Sequence, residues 1–250
     1  MFDIKKVKKG RKNLNIVSKL IFKIIQLRFK YREKREDYGL EIFEYFYLPW
    51  KSDKEFINLY KKFNDYTLNP ASRVYNIYNL SKRYLKDNTT FIEVGTWKGG
   101  VSSIVATANS NKNVHYYLCD TFEGVVKSSE KDTFFKNSEY SNANIKDVEN
   151  ITKSIDSKIS IIKGTFPESF VNKKLDNPIS FAHIDVDTYD SAKDSLAFIL
   201  KNCIPGAIII LDDYGGWFTD GITKLGNELM KNQDLVAIPN HIGQLVIYKI

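Results

Sequence analysis

The 250-residue chain carries a formal net charge of +7, is 43% apolar and 27% charged, and holds only two cysteines, Cys119 and Cys203. Two cysteines set in apolar stretches make no disulfide framework and lack metal-ligand spacing, so a reducing cytosol is the expected setting. The composition is that of a globular protein long enough to bury a substantial core, not of a low-complexity chain.

The charge is unevenly spread. Residues 1–35 carry 13 Lys/Arg against 2 Asp/Glu, which leaves the rest of the chain net acidic. Leu14, Val17, Ile21, Ile24 and Ile25 recur near helical spacing among Lys19, Lys23 and Arg28, which predicts a basic amphipathic arm. Lys23, Gln26 and Arg28 interrupt its apolar run, so it is expected to be neither a secretory leader nor a membrane span. Three readings stay open for it: a helix docked on the body, a peripheral contact with the anionic inner face of a membrane, or a nucleic-acid or partner tail. Nucleic acid is not the expected partner, and a homo-oligomer is compatible with the sequence.

Residues 36–86 read as a helical, aromatic prelude or cap, with Pro49 and Pro70 as breaks and Ser52 and Ser72 as expected N-caps, Ser52 paired with Glu55 at capping-box spacing. Residues 87–250 change texture. "TTFIEVG", "NVHYYLCD", "KISIIKG", "ISFAHID" and "AIIILDD" predict strands, and "GGVSSIVATAN" and "SAKDSLAFILKNC" predict helices between them. The alternation predicts an α/β fold of βαβ units around a mostly parallel sheet. "LVAIP" and "QLVIYKI", joined by "NHIG", predict a closing antiparallel hairpin, for seven strands in all. The polar stretch 124–150 reads as a loop and a helix near the open edge of the sheet. The 16 Phe and 15 Tyr are read as core packing in preference to a carbohydrate or aromatic site.

Ligands of open α/β sheets bind outside the carboxyl ends of the strands, so the strand ends carry the functional argument. The first gives "EVGTWKGG". Gly95, Gly99 and Gly100 permit a tight turn, and the helix behind them offers N–H groups to a carboxylate. The spacing is neither the dinucleotide fingerprint nor a P-loop. Glu93 would repel a pyrophosphate but suits a ligand with an ammonium group, as in S-adenosylmethionine. Asp120, ending the second strand, is placed to accept hydrogen bonds from ribose hydroxyls. The competing readings are a structural turn and a helix cap.

The fourth strand runs into "HIDVDTYDS" and the fifth into "LDDYGG". Adjacent strand ends lie about 5 Å apart, so Asp185, Asp212 and Asp213 are expected to converge. Carboxylates so grouped repel one another unless a cation or protons neutralise them. Oxygen-only ligands favour a hard divalent ion, Mg²⁺ first, with Mn²⁺ or Ca²⁺ as alternatives. Such an ion beside a methyl donor activates a hydroxyl acceptor, and Asp185 is the candidate general base. His183 is read as a core histidine, His115 as structural and His241 as solvent-exposed. Trp97, Trp217 and Lys98 are open between ligand contact and packing.

Together these pieces resemble the macrocin O-methyltransferase family, over roughly residues 66–250, through "EVGTWKGG", "CDTFEG", "HIDVDTYDS", "PGAIIILDDYG" and the closing hairpin. The resemblance implies a three-layer, Rossmann-like class I methyltransferase fold with a C-terminal antiparallel hairpin. It implies S-adenosylmethionine and Mg²⁺ as cofactors. It also implies donor binding by Glu93, Gly95, Thr96, Gly99, Asp120, Thr121 and Asp185, and metal ligation by Asp185, Asp212 and Asp213. The implied acceptor is a sugar hydroxyl on a small molecule, glycan or nucleotide-sugar precursor. The chain departs from the family pattern at "DNTT" before the first strand and at Val125-Val126 after "FEG". Two other functions compete: a metal-dependent glycosyltransferase using Asp185-Val186-Asp187, and a non-catalytic methyltransferase-like scaffold.

Overall fold

The computed structural model describes residues 47–250 and, before them, positions 20, 23 and 24. Apart from those three positions, the arm expected at 1–35 and the start of the prelude lie outside the described residues. Leu48–Ile250 forms one compact unit. Its elements are a 3-10 turn at Pro49–Lys51, α1 (Lys54–Phe63), α2 (Ala71–Tyr84), β1 (Thr89–Val94), α3 (Gly100–Ala108), β2 (Val114–Asp120) and α4 (Ile145–Thr152). They continue with β3 (Lys158–Lys163), β4 (Ile179–Ile184), α5 (Tyr189–Asn202), β5 (Cys203–Asp212), α6 (Asp220–Leu229), β6 (Leu235–Pro239) and β7 (Gln244–Lys249).

The seven strands form one sheet in the order β3-β2-β1-β4-β5-β7-β6. The first five are parallel, and β7 joins β5 and β6 antiparallel. This is the Rossmann-like architecture expected from the sequence. From β1 the chain winds outward through β2 and β3, then crosses back to β4 on the other side. The switch point, where ligands of such sheets bind, therefore lies at the carboxyl ends of β1 and β4.

The central strands are buried on both faces, which is why they read as apolar runs. Alternate residues serve different layers. Ile92, Val94, Ala182, Ile184, Ile209 and Leu211 pack under α5 and α6, through Ala192, Leu196, Ile222 and Leu225. Phe91, Phe181, Ile208 and Ile210 pack under α1–α4, through Phe56, Ile77, Tyr78, Ile104 and Val148. Many of the aromatic residues are core: Phe56 meets the rings of Tyr75 and Tyr78 at 4.9 and 5.3 Å.

Two helix starts differ from expectation. Ser52 closes the 3-10 turn in a right-handed conformation and donates to Pro49 O at 3.0 Å, so it cannot take the extended backbone of a cap. Asp53 does so one residue later and accepts from Phe56 N at 3.0 Å. Ser72 lies inside α2, whose N-cap position is Pro70, fixed near the required extended backbone by its ring. Helix α6 has no counterpart in the sequence reading. Its signal was the apolar spacing Ile222, Leu225, Leu229, broken up by Gly221 and Gly226. Gly226 is there because a Cβ would lie 2.3 Å from the Tyr214 ring. In 124–150 the expected helix is α4, opened by a reciprocal Asn144–Asp147 capping box.

Candidate active site

A cavity of about 240 Å³ opens at the switch point. The turn after β1 forms one wall. Gly95 has φ +87°, and a Cβ there would fall 1.8 Å from the Asp185 carbonyl oxygen. The β1 and β4 loops thus meet backbone to backbone, with Asp185 N donating to Val94 O at 2.8 Å. Gly95→Ala is expected to cost about 1–3 kcal/mol or more, from overpacking and a left-handed alanine. Urea unfolding checks this, and a variant as stable as wild type would contradict the contact. Gly99 also has a positive φ, but it faces Val148 and Ile151 of α4 and does not line the cavity.

Asp120 stands across from this turn. Its Oδ2 accepts from Trp97 N at 2.8 Å and its Oδ1 from Phe122 N at 2.7 Å. Burial pushes its carboxyl upward against these backbone donors. No helix follows Asp120 directly, so it caps none; it ties the loops after β1 and β2 together at the cavity edge. Thr96, Trp97 and Thr121 share that edge. Trp97 donates from its indole to Asn142 Oδ1 at 2.9 Å. Lys98 lies over the Trp97 ring and outside the cavity lining. Trp217 packs on Phe218, with ring centroids 4.2 Å apart, also outside the lining.

From Glu93 in the cavity wall a row of buried charges, created by strand register, runs back behind the cavity. Glu93 and His183 are direct partners on β1 and β4, and Ile210 on β5 is the partner of His183. Asp212 is two residues beyond Ile210, on the same face. His183 joins the two acids, with Nδ1 2.8 Å from Glu93 Oε1 and Nε2 3.0 Å from Asp212 Oδ2. Burial alone would lower its pKa, but the bonds to Asp212 and Glu93 outweigh that and raise it to about 10. His183 is therefore an enclosed imidazolium: a core histidine, as expected, but a charged one. Glu93 Oε2 accepts from Thr96 Oγ1 at 2.7 Å and also from Ser102 Oγ, so its oxygens are committed within the wall.

Asp212 makes four polar contacts. It accepts from His183, from Gln244 Nε2 at 3.1 Å and from Asp213 N at 3.0 Å, and it pairs with Arg73 Nη1 at 2.9 Å. Burial would raise its carboxyl, yet His183, Arg73 and Gln244 hold it below the usual range. Asp212 lies behind the cavity, whereas Asp185, Asp187 and Asp213 line it. Asp185 is pushed up to about 8 by burial and by the charges of Asp212 and Asp213, although Asn69 Nδ2 donates to its Oδ2 at 2.8 Å. Asp187 and Asp213 are likewise raised, by burial first and then by neighbouring carboxylates. Five acids thus face two cations, His183 and Arg73, and the surplus is negative.

The donor set fits one hard divalent ion. Among the described residues, ligand atoms of His183, Asp185 and Asp212 lie within 4.8 Å of one another. His183 is a poor ligand, because both ring nitrogens are bonded to carboxylates and the protonated ring has no free lone pair. The donors left are carboxylate oxygens. The other two histidines hold no place in the cavity: His115 is fixed between Asp176 and Ser160, 2.8 Å from each, and His241 is exposed.

Asn69, Arg73 and Gln244 were missed from sequence. Asn69 and Arg73 flank the break at Pro70, 116 or more residues from the acids they touch. No local spacing announces such a contact.

A glycine turn and an aspartate stand at one side of the switch-point cavity and an acidic cluster at the other, on a Rossmann-like sheet. Solved structures agree on the fold. The O-methyltransferase NovP is 17% identical, with TM-score 0.61 over 74% of this chain and 81% of that one. CalS11, a calicheamicin methyltransferase, is 13% identical, with TM-score 0.58 over 86% and 98%. A putative caffeoyl-CoA O-methyltransferase from Staphylococcus aureus is 13% identical, with TM-score 0.52 over 78% and 92%. No curated protein matches the chain. The model of the macrocin-O-methyltransferase (TylF) family matches residues 63–248, and the chain belongs to that family. It is an O-methyltransferase, which displaces the glycosyltransferase and scaffold readings.

Proposed function

We propose that the enzyme transfers a methyl group from S-adenosylmethionine to a sugar hydroxyl, with Mg²⁺ bound beside the acceptor. The acceptor is a glycan or nucleotide-sugar precursor. One observation carries the reading: a single cavity holds the Gly95 turn and Asp120 at one side and Asp185, Asp187 and Asp213 at the other. The family assignment supports the acceptor class.

S-adenosylmethionine supplies a sulfonium-bound methyl group, an electrophile that loses its charge on transfer. On the protein side, Gly95, Thr96 and the start of α3 are placed for the donor's carboxylate end. Asp120 and Thr121 are placed for its ribose hydroxyls. Glu93 holds the turn through Thr96 and Ser102. Asp185, Asp212 and Asp213 would hold Mg²⁺, which supplies Lewis-acid activation of the hydroxyl. Asp185 takes the hydroxyl proton on its carboxylate, and Asn69 fixes the orientation of that carboxylate. Catalysis then rests on alignment in a walled site, since no oxyanion develops at the donor.

Calorimetric titration with S-adenosylhomocysteine, with and without Mg²⁺, tests the donor site. Wild type is expected to bind in the micromolar range, and Asp120→Ala about tenfold or more weakly, the loss of hydrogen bonds to a charged group. Absence of binding by folded wild type, alongside binding of UDP with Mn²⁺, would overturn the reading.

A further inference from the structure

Arg73 is the residue that the reaction leaves unexplained. It reaches out of α2 into the acidic cluster, where its Nη1 lies 2.6 Å from Asp213 Oδ1 and 2.9 Å from Asp212 Oδ1. Its Nε donates to Ile242 O at 2.7 Å, in the turn between β6 and β7. Gly243 follows, and a Cβ there would come within 2.5 Å of Nη2, so the turn is shaped around the guanidinium. The carboxylates the cation covers are two of the three proposed to hold Mg²⁺.

We propose that Arg73 is a tethered counter-ion that shares the Asp212–Asp213 pair with the divalent ion and sets how tightly that ion binds. The inference rests on the proposed metal site. Two effects act in one direction. Arg73 occupies an Oδ1 on each acid, so those oxygens are open to an ion only when Nη1 withdraws. Its fixed positive charge also repels a second cation across a few ångströms of protein, where screening by water is weak. The Nε–Ile242 bond tethers the guanidinium at the turn, so it yields to the ion by a shift of the whole rigid plane. In the ion-free protein the arginine keeps two adjacent acids from repelling each other and holds α2 on the end of β5. When the ion enters, the guanidinium yields part of that role. The site would then fill only where divalent ion is plentiful.

The test is Mn²⁺ binding, followed by electron paramagnetic resonance of the free ion, on wild type, Arg73→Gln and Arg73→Lys, with S-adenosylhomocysteine binding as the check of fold. Arg73→Gln is expected to bind Mn²⁺ about tenfold or more tightly, and Arg73→Lys, which keeps the charge, to stay near wild type. Equal or weaker binding by a folded Arg73→Gln would overturn the proposal alone and make Arg73 a structural clip. No Mn²⁺ binding by either protein, with S-adenosylhomocysteine still bound, would overturn it together with the metal site. Nitrogen-15 resonances of the arginine side chains in wild type give a measurement that needs no folded glutamine variant. The Nη signals of Arg73, assigned by their loss in Arg73→Lys, should shift on Mg²⁺ saturation, and signals unmoved while Mg²⁺ binds would contradict the proposal.

Discussion

Asp185→Asn is expected to lower methyl transfer by about 10²–10⁴-fold, the range that removing a general base costs. The substitution is nearly isosteric, and its amide oxygen can still accept from Asn69 Nδ2, which lies 2.8 Å from Asp185 Oδ2. Its effect on the fold should therefore be small. It also removes a carboxylate from a cluster in which burial and the charges of Asp212 and Asp213 push Asp185 to about 8, so repulsion falls. The variant should be as stable as wild type, or more stable, when no divalent ion is present. Single-turnover transfer at saturating donor measures the chemical step, and calorimetry with S-adenosylhomocysteine measures the donor site. A slow variant with donor affinity unchanged within about threefold locates the defect in proton removal and acceptor activation. Turnover within tenfold of wild type would remove Asp185 from that role.

His183→Gln is expected to destabilise the protein by about 3–5 kcal/mol, because it leaves two buried carboxylates without the cation between them. For a chain of this size that corresponds to a fall in Tm of roughly 6–20 °C. Glutamine can still donate a hydrogen bond, so the loss reports charge more than hydrogen-bond count. Glu93→Gln in the same background should recover part of the loss, since it removes one of the stranded charges. A double-mutant cycle with no coupling would contradict the charge row. The pH dependence has a definite sign. His183 has a folded pKa of about 10 against an unfolded value near 6.5. Its contribution is complete below about pH 6.5 and is lost as pH rises through 10. Asp185, Asp187 and Asp213, whose pKa values are raised, also favour the folded state less as pH rises, over a lower range. The difference between wild type and His183→Gln isolates the histidine: it should be flat up to about pH 6.5 and shrink towards pH 10. A difference that stays constant to pH 10 would mean that the ring is not held protonated.

The row Glu93–His183–Asp212 also explains why the site survives its own charge. Three residues on adjacent strands alternate in sign and saturate each other, so the acids facing the cavity rest on a compensated floor. The surplus is confined to Asp185, Asp187 and Asp213, where a ligand can reach it. Among the described residues no helix is long and apolar enough to cross a membrane.

Much of this was written in local sequence. The five parallel strands, the closing hairpin and most helices follow from apolar runs broken by glycine, proline and capping residues, because those signals act over a few residues. The acids at the ends of β4 and β5 and the glycine turn after β1 were legible for the same reason: each adjoins a strand whose direction is clear. Cap positions were not, since Ser52 and Asp53 are equally good on paper and the 3-10 turn at Pro49 decides between them. Helix α6 was missed because two glycines dilute its apolar period. Strand register alone sets His183 between Glu93 and Asp212, making a cation of a histidine that reads from sequence only as core. Tertiary packing alone brings Asn69, from the loop before α2, and Arg73, from α2, onto Asp185, Asp212 and Asp213. The sequence determined which residues stand at the strand ends, and the tertiary structure decided which of their oxygens are already spoken for. The physical reason is reach: backbone preference is local, whereas compensation of buried charge depends on whatever the fold carries to within hydrogen-bonding distance.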